Sequence, residues 1–167
     1  MKCGRRNRRC VIEVAVFGTI AGATLAWAVA EQLRSRLLWT IGAALAVTHS
    51  AAAFAVFHGW SHRAAAAATA RQTADVTGVS WGGGIFFNYA FLIVWIADAI
   101  WWWASPRGYE ARPRAFDALV RGFLFFMFLN GAVVFADGWM RLLGVIAVGL
   151  VSITWSTRFF RQMAAAP

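Results

Sequence analysis

Long apolar runs alternate with short polar stretches along the whole chain. Five of these runs approach the roughly 20 residues that a helix needs to cross the hydrocarbon core of a bilayer. They cover residues 11–30, 37–58, 84–104, 119–136 and 142–155. The pattern predicts an all-α polytopic transmembrane bundle of about five spans. We expect residues 1–167 to form one integral-membrane domain, with a basic cytoplasmic tail at residues 1–10.

Two features leave a four-span alternative open. A basic segment precedes the first run, and the sequence "AVA" at residues 28–30 fits the cleavage site of a secretory signal peptide. The last run is the shortest and follows the tight turn "DGWMR", so it fits a membrane-lying helix as well as a crossing. We favour five crossings, because the first run exceeds the length usual for the apolar region of a signal peptide and Glu13 interrupts its start.

The composition is that of a membrane protein. Hydrophobic residues make up 60% of the chain and charged residues only 14%, well below the quarter usual in soluble domains. Several tryptophans lie near predicted span ends, where indole rings favour the membrane interface: Trp39, Trp60, Trp81, the run at residues 101–103, Trp139 and Trp155. Cys3 and Cys10 both lie in the basic tail and imply no disulfide framework.

Charge gives the orientation and argues against one class of partner. The net charge of +9 comes from short basic clusters between apolar runs, without the basic helix face typical of nucleic-acid binding. Lys and Arg divide evenly between the two sides of a five-span protein. The orientation is therefore predicted from the dense basic cluster before the first run. This cluster predicts a cytoplasmic N-terminus in the inner (plasma) membrane.

Two connections are long enough to hold structure of their own. The first contains "RAAAAATARQTADVTGVS", whose Ala-rich half has high helix propensity and is predicted to prolong the second helix beyond the membrane surface. The second, "SPRGYEARPRAFD" at residues 105–117, contains two prolines and is predicted to be a solvated loop without recognisable chemistry.

A few polar residues lie inside or at the ends of the apolar runs. An Asp at the centre of a membrane helix costs about 2.5 to 3.5 kcal/mol on insertion scales, so such residues mark candidate functional sites. The candidates for binding a ligand or handling a proton are His49, Asn88, Asp98 and Asn130. The candidates for binding a metal are Glu13, His58, His62 and Asp137.

Helix geometry divides the three histidines into two groups. His58 and His62 are four residues apart and would project from nearly the same helix face, whereas His49 would lie on the opposite face. Counted inward from the same membrane surface, His49 and Asp98 differ by only about 4.5 Å in depth. The spacing therefore makes a His49–Asp98 pair in mid-membrane a candidate site.

Alternation of the helix directions brings the metal candidates and Asn88 to one membrane face. Imidazole nitrogens and carboxylate oxygens of this kind can bind Zn, Fe or Mn. Haem ranks below a dissociable divalent metal. All three histidines lie on one predicted helix, so ligation by two histidines from different helices would require a second copy or a partner subunit.

The sequence favours a non-enzymatic membrane protein, either transporter-like or a small-ligand-binding subunit, with an intramembrane His/Asp site. Two alternatives stay open. One is a metal- or haem-binding redox component, and the other is a structural or accessory subunit whose polar residues only pack helices. The expected surroundings are the lipid bilayer and a homo-oligomer or larger membrane complex. No hydrolase, nucleotide-binding or dithiol motif is present.

Overall fold

The chain folds into α-helices. A computed structural model describes the backbone of residues 3–136 and 138–164, and the side chains of residues 15, 16, 18–136, 138 and 141–157. The helices are α1 (Cys3–Leu33), α2 (Arg36–His58), α3 (His62–Thr77), α4 (Gly84–Ala104), α5 (Pro106–Glu110), α6 (Arg114–Leu129), a π-helical turn (Asn130–Val134) and α7 (Gly138–Ala164). Within the described residues there is no strand, and the predicted all-α membrane bundle is confirmed.

Three helices among the described residues are long and apolar enough to cross a membrane. They are α2, α4 and the continuous stretch Arg114–Val134, and a shorter apolar segment, Arg141–Thr157, lies within α7. The predicted third run coincides with α4. The predicted first run lies within α1, most of whose N-terminal side chains are outside the described part, so the count of five spans stays a prediction.

The predicted continuation of the second helix through the Ala-rich segment is wrong. Helix α2 ends at His58 and is capped by Gly59, which has the left-handed φ of 55° that glycine adopts without steric cost. Helix α3 then begins after Ser61, whose Oγ accepts a hydrogen bond from the backbone N–H of Ala64 at 3.2 Å. The Ala-rich segment is helical as expected, but it is a separate helix.

Neighbouring helices run antiparallel, as two contacts show. The indole N–H of Trp103, near the end of α4, donates to Oγ1 of Thr40, near the start of α2, at 2.9 Å. An ion pair joins Glu31, near the end of α1, to Arg121 in α6. The end of the bundle that contains residues 105–113 is called the connector side, and the end that contains residues 59–83 is called the cavity side.

The bundle is centred on a cluster of aromatic rings, here called the tryptophan core: Trp27, Trp39, Trp95, Phe128 and Trp155. The Trp27 ring lies 5.9 Å from Trp39 and 5.6 Å from Trp95, measured between centroids. Trp39, in the first turn of α2, is only 2% exposed, so its ring packs inside the bundle rather than on its surface. Trp60 and Trp81 are 68% and 51% exposed, as expected for rings near a span end.

Candidate functional site

A cavity of about 1560 Å³ lies between the helices towards the cavity side. Its walls come from every helix except α5 and are mainly aliphatic and aromatic. Five of the polar residues singled out in the sequence line it: His49, His58, His62, Asn88 and Asn130. The structure therefore brings together candidates that the sequence had divided between a ligand site and a metal site.

His49 projects from α2 towards α1. Its Nδ1 lies 2.8 Å from the backbone oxygen of Val16 and 3.4 Å from Oγ1 of Thr19. A carbonyl oxygen can only accept a hydrogen bond, so Nδ1 carries the proton and donates it to Val16. In the neutral imidazole, Nε2 is then a hydrogen-bond acceptor.

His58 and His62 lie at the mouth of the cavity, on different helices. His58 is the last residue of α2 and its ring contacts Phe54, whereas His62 opens α3 and its Nδ1 lies 2.8 Å from the hydroxyl of Tyr89. The break at Gly59 means that the predicted placement of both histidines on one helical face is wrong. Both residues nevertheless line the cavity.

The described residues do not support a metal centre. Among the side chains that the structure describes, no three from His, Cys, Asp and Glu come together. Asp137 and the side chain of Glu13, two of the four metal candidates, lie outside the described residues. Of the four metal candidates, only His58 and His62 have side chains that the structure describes. The nearest polar partner of His62 is a tyrosine hydroxyl.

Asp98 lies apart from the cavity, buried at the connector side of α4 with 4% of its surface exposed. Its carboxylate forms an ion pair with Arg112 and accepts a hydrogen bond of 2.8 Å from the hydroxyl of Tyr109. The predicted His49–Asp98 pair does not form. His49 is bonded to α1, and the partners of Asp98 come from the connection that the sequence had assigned to solvent.

The ion pair of Asp98 is one part of a larger network, here called the connector network: Glu31, Asp98, Tyr109, Arg112, Asp117 and Arg121. Arg112 also pairs with Asp117, and Nε of Arg121 donates to the same carboxylate at 2.9 Å. Arg121 in turn pairs with Glu31 of α1. Two guanidinium groups thus join three carboxylates from α1, α4 and α6.

Aromatic rings cover the network. The Tyr109 ring stacks on Trp102, with centroids 4.6 Å apart and ring planes 4° from parallel. The guanidinium carbon of Arg112 lies 3.8 Å from the centroid of the Tyr109 ring, on which it can make a cation–π contact. Tyr109 is 3% exposed and Arg112 is 9% exposed, so the predicted solvated loop is wrong for these two residues.

The surroundings fix the protonation of both connector residues. Burial, followed by the charge of Asp98 and the hydrogen bond to it, raises the pKa of Tyr109 well above its usual value. Burial alone would lower the pKa of Arg112, but the hydrogen bond and charge of Asp98 outweigh it and raise this pKa. Tyr109 therefore stays a neutral donor and Arg112 stays a cation.

No protein-family model, curated protein or solved structure matches the chain. The fold and the site define a class only: an α-helical membrane protein with a large open cavity on one side and a buried ion network on the other.

Proposed function

We propose that this membrane protein binds an amphipathic small molecule in its cavity, as a small-ligand-binding or transporter-like subunit. The observation that carries the proposal is that five polar side chains from inside or beside the apolar runs converge on one cavity whose walls are mainly apolar. Sites for small molecules typically combine apolar walls with a few polar groups that fix orientation. The volume, about 1560 Å³, exceeds the usual range of about 300 to 1,000 Å³ and fits a long molecule.

Asp98 is not part of the proposed binding site. Its carboxylate is fully engaged by Arg112 and Tyr109, and it does not line the cavity. The tryptophan core lies between the cavity and the connector network. Phe128 lines the cavity and contacts Trp27, and Trp39 of the same core lies 5.8 Å from the guanidinium carbon of Arg121. Asp98 accordingly serves helix packing, as polar contacts between membrane helices often do.

Photolabelling in lipid nanodiscs tests the proposal. The probe is a long-chain fatty alcohol with a diazirine in its tail, and the labelled positions are mapped by mass spectrometry of peptides. Labelling is expected on cavity-lining residues of α2, α4 and α6. Uniform labelling of lipid-facing positions such as Ile93 and Leu119, which are 66% and 69% exposed, would contradict the proposal.

A matched pair of variants on α2 makes the test specific. Ala53 lines the cavity one helical turn after His49, whereas Ala55 is exposed and lies outside the cavity wall. Ala53→Trp is expected to reduce cavity labelling several-fold by filling space, and Ala55→Trp is expected to leave it unchanged. Equal labelling of the two variants would overturn the proposal.

A further inference from the structure

The walls of the cavity carry no formal charge. Among the described residues that line it there is no Asp, Glu, Lys or Arg, and its polar groups are imidazoles, amides and hydroxyls. An ionised group that moves from water into such surroundings loses its hydration without gaining a counter-charge. The cavity thus selects for an uncharged molecule.

Two polar groups of the wall, His49 and Asn130, each present a hydrogen-bond acceptor. The Nδ1–H of His49 donates a hydrogen bond to the Val16 carbonyl, so the lone pair of Nε2 remains as an acceptor. Asn130 donates one amide N–H to the carbonyl of Phe126 at 2.7 Å, so its Oδ1 remains as an acceptor beside its second N–H. No described side chain bonds to Nε2 of His49. An acceptor in an apolar wall is stabilised most by a ligand that donates a hydrogen bond.

We infer that the cavity takes an uncharged lipid with a free hydroxyl group, and that this hydroxyl donates a hydrogen bond to Nε2 of His49. The apolar body of the lipid lies against the aliphatic and aromatic wall, which includes Leu25, Phe91, Leu92, Phe128, Ile146 and Leu150. Aliphatic lipid alcohols and lipid hydroquinones share this chemistry. The inference rests on the proposed function and adds the chemical class of the ligand.

Matched head groups on one diazirine-bearing tail test the inference in the wild-type protein. The first pair is a primary alcohol and its methyl ether, and the second is a hydroquinone and its dimethyl ether. In each nanodisc sample, the yield of cavity-specific labelling is compared within a pair. One hydrogen bond to a neutral acceptor predicts about a fivefold higher yield for the hydroxyl member. The pair with the larger ratio identifies the aliphatic or the aromatic source.

The variant His49→Asn tests whether the preference for the hydroxyl probes depends on Nε2 of His49. The Asn amide can still donate to the Val16 carbonyl but has no atom at the position of Nε2. We expect the hydroxyl preference to fall to about one, while His58→Asn at the cavity mouth retains it. A preference that persists in His49→Asn would overturn the assignment to His49.

The failure of this inference is distinguishable from the failure of the proposed function. If the ethers label the cavity as well as their hydroxyl partners do, the inference is overturned and cavity binding stands. If no probe labels the cavity above the lipid-facing background, the proposed function fails and the inference fails with it. The comparison of probes needs no variant, so it holds even where a substitution prevents folding.

Discussion

The hydroxyl of Tyr109 donates a hydrogen bond of 2.8 Å to the carboxylate of Asp98, which links the short helix α5 to a buried position in α4. The two residues are eleven positions apart, on opposite sides of the turn at Ser105 and Pro106. Since Arg112 pairs with the other carboxylate oxygen, the connection between α4 and α6 is fixed against the bundle. Stability should therefore depend strongly on a segment that lies outside the spans.

Removal of the Asp98 charge should destabilise the fold. Asp98→Asn leaves the buried Arg112 without its main counter-charge, and breaking a buried ion pair in this way costs about 3–5 kcal/mol. The measurement is unfolding in detergent followed by circular dichroism, with Asp75→Asn on the exposed surface of α3 as the control. A folded Asp98→Asn protein should keep its cavity labelling. Unchanged stability would contradict the structural role given to Asp98.

The connector network should make the fold sensitive to alkaline pH. The folded-state pKa of Tyr109 is raised, so the unfolded chain ionises this phenol first. The stabilisation is complete below the usual tyrosine pKa of about 10 and is lost as the pH rises from there towards the folded-state pKa. Tyr109→Phe should show a shallower loss of stability above pH about 10 than the wild type.

The ionisation of Tyr109 can be observed directly. The chain has two tyrosines, so in the variant Tyr89→Phe the tyrosinate absorbance reports Tyr109 alone. We expect this absorbance to appear only together with unfolding. Titration of the folded protein at an ordinary tyrosine pKa would show that the phenol is not buried against Asp98.

The approach of α2 to α4 should depend on the absence of a side chain at residue 42. A Cβ atom at Gly42 would lie 2.8 Å from Cζ2 of Trp95, in the fully packed tryptophan core. Gly42→Ala should therefore lower stability by about 1–3 kcal/mol, as overpacking does. Gly122→Ala in α6 is the matched control, because a Cβ there meets no atom within 4 Å and should be neutral or slightly stabilising. Similar thermal midpoints for both variants would contradict the packing.

The connector and cavity sides should lie on opposite faces of the membrane. Glu110 in α5 and Asp75 in α3 are both exposed and can be replaced singly by Cys in a protein whose two native cysteines are removed. A membrane-impermeant maleimide added outside sealed cells should label Glu110→Cys. Asp75→Cys should react only after the membrane is opened, because the predicted orientation places α3 in the cytoplasm. Labelling of both from one side would contradict a transmembrane α4.

The sequence predicts the helices well where the apolar runs are long and uniform. Residues 84–104 form one helix with the predicted bounds, because an apolar segment of this length must satisfy its backbone hydrogen bonds internally. The break between α2 and α3 was missed although its signals are present. Gly59 and Ser61 are a typical helix end and helix start, but the strong helix propensity of the following alanines suggested continuity.

The cavity was predictable in part and the connector network was not. Counting residues along antiparallel helices gives depth, and it correctly brings His58 and Asn88 to one side, where both line the cavity. Depth gives no information on the direction in which a side chain points. Depth alone therefore predicted a pair of Asp98 with His49. Tyr109 and Arg112 were not predicted as site residues, because the prolines around them indicate a solvated loop. The burial of that loop results from tertiary packing against the bundle. The charges in the sequence could have indicated the network. A buried carboxylate needs a cation, and the basic segment that follows α4 is close to Asp98 in the chain.

The pairing of Asp98 with Arg112 also bears on how the chain is inserted during synthesis. Asp98 emerges from the ribosome fourteen residues before Arg112, so α4 first meets the lipid as a segment with an unmatched acid. The segment from α4 to Arg112, which ends two residues before α6 begins, is the smallest piece of the chain in which that acid acquires its cation. We therefore expect α4 together with this connection, rather than α4 alone, to be the unit that the insertion machinery releases into the bilayer.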